Sequence, residues 1–146
     1  MCIRDSDEEW NIKKIGSIAP DLLVSVSLAD IDGDGDKDIF SGSYSMGSRD
    51  KDDTDNLNKA YGSVVWFENQ KNSWKKNNIL RRKRGMYDKW IPLDLDQDSD
   101  IDFIGTRGNS KPYDGVIWLE QQRLAENNVV FKAARSLDSE SVPFVD

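Results

Sequence analysis

The chain has 146 residues, the length of one ordinary domain. Its net charge of −7 argues against a nucleic-acid partner, which would favour a basic surface. No apolar run approaches the length of a membrane span, and the start, "MCIRDSDEEW", has no apolar leader core.

Residues 1–6, "MCIRDS", match the translation of a transposon end used in preparing sequencing libraries, so they are expected to be a scar and not native sequence. Cys2 would then be foreign to the chain, and no disulfide framework is expected. Residues 7–20 carry "WNIKKI", which returns as "WKKNNI" at an offset of 64, with Trp10 on Trp74 and Ile15 on Ile79. This stretch is expected to be the last strand of a preceding repeat unit.

Residues 21–80 read as a complete unit. "LLVSVSLAD" alternates Val24, Val26 and Leu28 with serines, the period of a strand. An acidic loop follows over 30–38, then "DIFSGSY" as a second strand. "GSVVWFEN" (62–69) is a short apolar run bounded by turn residues, fitting a strand buried on both faces. "SWKKNNIL" is more polar, as an outer edge strand would be. The insertion 44–61 is polar and reads as a flexible loop; Asp50, Asp52, Asp53 and Asp55 lack the alternate spacing of a metal site.

Residues 81–137 repeat the plan. "RRKRG" (81–85) is expected to be a solvated connection between units, with an acidic polysaccharide patch as the functional alternative. The aspartate loop returns over 94–102 at the offset of 64, and "GVIWLEQ" (115–121) matches "GSVVWFEN" at an offset of 52. "LEQQRLAENN" (119–128) is the one stretch with a trace of helical period. Trp66 and Trp118 fall at equivalent places, which favours packing between units over sugar stacking; Trp74 is expected to be partly exposed. Residues 138–146 contain "SVPFVD", aligned with "SVSLAD", and read as the start of a third repeat. Four strands per unit of this length is the arithmetic of a β-propeller blade. The fold class expected is all-β, with about two four-stranded antiparallel blades.

The aspartates carry the chemistry. Asp30, Asp32, Asp34, Asp36 and Asp38 recur as Asp94, Asp96, Asp98, Asp100 and Asp102. Calcium takes six to eight oxygen ligands, and a short chain supplies them only by wrapping around the ion. Alternate residues then point inward, with a permissive residue at the sixth position to turn the chain. Gly35 fills that position in the first loop and Ser99 in the second, so the second site is expected to bind more weakly. An EF-hand would place glutamate at position 12 and enter a helix; Ser41 and Gly105 stand there instead. Two divalent cations would move the formal charge from −7 to −3.

The run "SLADIDGDGDKDIFSGS", then "GSVVWFEN", then "WKKNNI" resembles the FG-GAP/VCBS repeats, the blade units also found in integrin α subunits. The resemblance covers almost all of the chain beyond residue 7. It implies a seven-bladed, calcium-stapled propeller in a secreted or cell-surface protein. It also implies that all ten aspartates are ligands, with Asp36 using its carbonyl, and that neighbouring blades of the same parent chain are partners. Gln97 and Ser99 depart from the family pattern.

The leading functional expectation is a non-catalytic binding or adhesion module for a protein or polysaccharide ligand. The competing class is the propeller of a secreted polysaccharide lyase; the chain has no histidine, and no nucleophile with an activating base stands near the loops. A spacer is the third. An open two-blade piece would expose apolar faces and strand edges, so the isolated chain is expected to be marginal or to aggregate.

Overall fold

A computed structural model describes residues 11–45, 61–82, 85–108, 115–124 and 128–136. The strands are β1 (Leu22–Ala29), β2 (Asp38–Tyr44), β3 (Gly62–Asn69), β4 (Trp74–Arg82), β5 (Trp90–Leu93), β6 (Asp102–Arg107), β7 (Gly115–Leu124) and β8 (Asn128–Ser136). They form two antiparallel sheets in simple sequence order, β1-β2-β3-β4 and β5-β6-β7-β8. The chain is therefore all-β, built from two four-stranded units. The expected scar at 1–6, the bulk of the 44–61 insertion and the expected start of a third repeat lie outside the described residues.

Cross-strand partners share a face of a sheet. In sheet 1, Ser27 pairs with Phe40, and Phe40 with Trp66. That face packs on sheet 2, where Phe103 pairs with Leu119 and Gly105 with Ile117. The shared core contains Ile31, Phe40, Val64, Trp66, Trp90, Phe103, Ile117 and Leu119. Phe40 stacks on Phe103 with centroids 3.6 Å apart, while Trp90 and Phe131 meet Phe40 edge-on at 5.2 and 5.5 Å. Burying each such ring contributes roughly 1.5–3 kcal/mol.

The two rings are not repeat counterparts. "DIF" after the first loop becomes "DFI" after the second, so Phe40 aligns with Ile104 and Ile39 with Phe103. Side chains alternate across a strand. The transposition therefore points both rings into the one interface. A second exchange accompanies it. Val26 and Ser41 pair in sheet 1 where Trp90 and Gly105 pair in sheet 2. A β-carbon on Gly105 would collide with the Trp90 indole, so the larger ring requires the glycine.

β1 has its alternation, but its apolar row faces outward. Ser25 and Ser27 lie toward sheet 2 and donate to the carbonyls of Tyr87 and Trp90, each at 2.6 Å. Val26 and Leu28 are left exposed on the other side. β3 is buried on both faces as expected: Val64 and Trp66 face sheet 2, whereas Val65 and Phe67 lie under Ile18. β4 is the polar outer strand, and Trp74 is half-buried at its start.

Three expectations change. Residues 11–20 form no strand. Their later part lies on the outer face of sheet 1, where Gly16 sits against the Phe67 ring and Ile18 packs on Val65 and Phe67. Arg81 is more than a solvated cation. It holds Asp21 through two 2.8 Å hydrogen bonds and lies 4.3 Å over the Tyr61 ring. The Asp21 carboxylate also accepts the Tyr61 N–H at 2.7 Å, and these bonds to Arg81 and Tyr61 hold its pKa below the ordinary value against the opposing effect of burial. The helical trace at 119–128 is strand through Leu124, because Gln121 and Gln122 alternate across β7 and pair with Phe131 and Val130 of β8.

Candidate metal centre

Each acidic loop joins the first two strands of its sheet, loop 1 between β1 and β2 and loop 2 between β5 and β6. The backbone of each turns left-handed at its fourth and sixth positions. In loop 1 these are Gly33 (φ 76°) and Gly35 (φ 93°); in loop 2 they are Gln97 (φ 66°) and Ser99 (φ 76°). The expected need for a permissive residue at position 6 holds, and position 4 shares it. Side-chain carboxylates then tie the turns. In loop 1, Asp30 accepts the Gly35 N–H at 3.1 Å, Asp32 that of Asp34 at 3.2 Å, and Asp34 that of Asp36 at 2.8 Å. In loop 2, Asp94 accepts the Ser99 N–H at 3.2 Å and Asp98 that of Asp100 at 3.1 Å.

The wrapping brings carboxylates together. One oxygen from each of Asp30, Asp32 and Asp34 lies within 4.8 Å of the other two, and Asp94, Asp96 and Asp98 repeat the arrangement. Asp36, Asp38, Asp100 and Asp102 stand outside these triads. Asp36 and Asp100 each keep one buried carboxylate oxygen with no hydrogen-bond partner, as does Asp30. Such an oxygen is costly in a folded protein unless something positive meets it.

Asp38 and Asp102 have a structural task that spacing did not disclose. Both are fully buried. Asp38 accepts the Ile31 N–H at 3.0 Å and the Asn69 N–H at 2.8 Å, fastening the loop to the end of β3. Asp102 accepts the Leu95 N–H at 3.2 Å and the Gln121 N–H at 2.9 Å, fastening loop 2 to β7. A carboxylate oxygen has two lone pairs, so these bonds leave acceptor capacity.

The electrostatics follow from crowding. Burial, then repulsion from Asp38, Asp34 and Glu68, raises the pKa of Asp32. Burial raises that of Asp38 despite its two backbone donors. Asp96 is raised in the same direction, by lost solvation first and then by repulsion from Asp98 and Asp102. Asp100 is pushed up to about 6 by burial and by Asp98 and Asp102, with Arg123 opposing. A bound cation reverses this repulsion.

Sequence reasoning missed Gln121 and Arg123. Gln121 is fully buried, and its side-chain amide donates 2.9 Å to the Ile31 carbonyl of loop 1 while its backbone serves Asp102 of loop 2. The Arg123 guanidinium lies over loop 1, close enough that a β-carbon on Gly33 would approach it to 2.9 Å. The signal for Gln121 was available, because "EN" and "EQ" end the two matched strands and place carboxamides at 69 and 121. The all-oxygen donor set, the converging triads and the buried unpaired oxygens fit a hard divalent cation. No family model, curated protein or solved structure matches the chain.

Proposed function

We propose that the chain is a calcium-binding β-repeat module, two consecutive blades of an FG-GAP/VCBS-like propeller from a secreted or surface protein. The observation that carries this reading is the double occurrence of one site: an aspartate triad between the first two strands of each sheet, backed by buried carboxylate oxygens without partners. Two independent loops closing on the same geometry are hard to account for as solvated acidic turns. Calcium suits them better than magnesium, which demands strict octahedral geometry and keeps its waters.

The ion's role is structural. It neutralises the loop and fixes where the next strand starts. A ligand binding only the folded state stabilises it by about 2.7 kcal/mol at a hundredfold excess over its dissociation constant. The biological activity that follows is ligand binding or adhesion, toward a protein or a polysaccharide, with no chemistry in this chain. Calcium titration calorimetry on the full chain, beside Asp32→Asn, Asp96→Asn and the double variant, tests the site. Two binding events are expected, one lost in each single variant and both in the double. Binding unchanged in the double variant would sink the assignment. Glycan-array and surface-protein binding, with calcium and with chelator, tests the adhesive role; loss of a specific signal on chelation is expected.

A further inference from the structure

Gln121 touches both loops at once. Its backbone N–H donates 2.9 Å to Asp102 of loop 2, and its side-chain amide donates 2.9 Å to the Ile31 carbonyl of loop 1. Each contact continues into its own loop. Asp102 also accepts the Leu95 N–H at 3.2 Å, near the start of loop 2. Ile31 donates its N–H 3.0 Å to Asp38, which accepts the Asn69 N–H at 2.8 Å. One run of hydrogen bonds therefore passes through Leu95, Asp102, Gln121, Ile31, Asp38 and Asn69, from one loop to the other.

The middle of this run is fully buried at Asp102, Gln121, Ile31 and Asp38. A broken link there leaves a polar group out of reach of water, which holds the run together. Ile31 stands between Asp30 and Asp32, two members of the loop 1 triad. Holding its N–H and its carbonyl therefore sets the backbone that aims both carboxylates. The reach across sheets depends on side-chain length. Asn69, the repeat counterpart of Gln121, is one methylene shorter, and its amide donates within its own unit, 3.3 Å to the Lys37 carbonyl.

We infer that the two cation sites bind cooperatively and that Gln121 is the positioning residue that couples them. The inference rests on the reading of both loops as calcium sites. The two states of each loop differ in their carboxylates, which repel one another when empty and converge on a cation when filled. A cation in loop 2 draws that loop closed and steadies Asp102. The Gln121 backbone is then fixed, its amide holds Ile31, and the loop 1 triad is set before an ion arrives. The same run works in reverse, because coupling between two binding equilibria is reciprocal. Arg123 lies two residues further along the same face of β7, with its guanidinium against Gly33 of loop 1. It stands outside the run, so its charge sets how tightly loop 1 binds and not how the loops are coupled.

Calcium chloride titration of the full chain, followed by NMR at the Gly35 and Ser99 amides, tests this. Those N–H groups donate to Asp30 and Asp94, so each reports on its own loop. Silencing loop 2 with Asp96→Asn should weaken calcium at loop 1 by about fivefold or more, and silencing loop 1 with Asp32→Asn should weaken loop 2 by the same factor. The lost charge accounts for part of each effect, so the deciding comparison is with Gln121→Asn. That change keeps the backbone bond to Asp102 and the amide group but shortens the reach. In its background the same silencing should cost about threefold less or better, the difference belonging to the coupling alone. If Gln121→Asn does not fold, Gln121→Met, of similar length and without a donor, takes its place. Arg123→Gln should tighten loop 1 and leave the coupling as in the parent. Amides that ignore calcium overturn the calcium reading and the coupling with it. Amides that titrate, with silencing effects equal in the parent and in Gln121→Asn, overturn the coupling alone. So does a coupling abolished by Arg123→Gln and kept in Gln121→Asn.

Discussion

Loop 1 and loop 2 carry the same five aspartates, the same left-handed turns and the same fastening bonds, yet their surroundings differ. Loop 1 turns on two glycines, and loop 2 forces Gln97 and Ser99 into that conformation. Ile31 of loop 1 is buried under sheet 2, whereas its counterpart Leu95 is exposed. The Ile31 carbonyl receives the Gln121 amide from the neighbouring sheet. Aspartate spacing therefore specifies the loop, while turn residues and the neighbouring unit decide how well it is held.

Breaking the cover on loop 1 has the largest expected effect. Gln121→Leu leaves the buried Ile31 carbonyl unpaired, a loss of about 1–3 kcal/mol. With loop 2 silenced by Asp96→Asn and Asp98→Asn, calcium affinity at loop 1 should fall. With loop 1 silenced instead, affinity at loop 2 should hold, since the backbone bond to Asp102 survives. An equal loss at both loops would erase the distinction drawn between them.

Relieving loop 2 comes next. Gln97→Gly and Ser99→Gly should each recover about 1 kcal/mol, roughly fivefold in affinity at that loop. Titration with loop 1 silenced measures it. No gain from either change would assign the whole difference to the missing cover.

The smallest effect concerns pH in the metal-free protein. Asp100 has a folded pKa of about 6 against an ordinary 3.8. A carboxyl raised on folding holds its proton more tightly in the folded state. Its contribution therefore favours folding below about 4 and is lost as pH rises through about 6. Asp100→Asn should flatten thermal stability across that window. In loop 1 the raised carboxyls are instead Asp32 and Asp38, both through burial first. An unchanged slope in the variant would show that Asp100 does not govern it.

Much of this architecture was legible because repetition doubles every signal. The matched tryptophans, aspartate runs and apolar strands located two four-stranded units and the loops that join their first strands. What escaped depended on contacts between units. Nothing in "LLVSVSLAD" says that its serines face the neighbouring sheet and its valines face out; that follows from the Tyr87 and Trp90 carbonyls. Asp38 and Asp102 were legible as candidate ligands, but not as the buried anchors that also fasten each loop through paired backbone donors. Arg81 looked like part of a charge run until folding brought Asp21, 60 residues away in sequence, against it.

The Gln121 bond also orders events in time. Every turn bond inside loop 1 spans at most seven residues, whereas Gln121 closes on Ile31 across 90. Local turns close fast and long-range contacts close late, because the longer loop sacrifices more chain entropy. An ion can therefore enter loop 1 while it is still a local hairpin loop, and sheet 2 then latches over it. On the proposed reading, capture is governed by the local turn and release by the latch, which makes the residence time of an ion in loop 1 a property of the sheet next door.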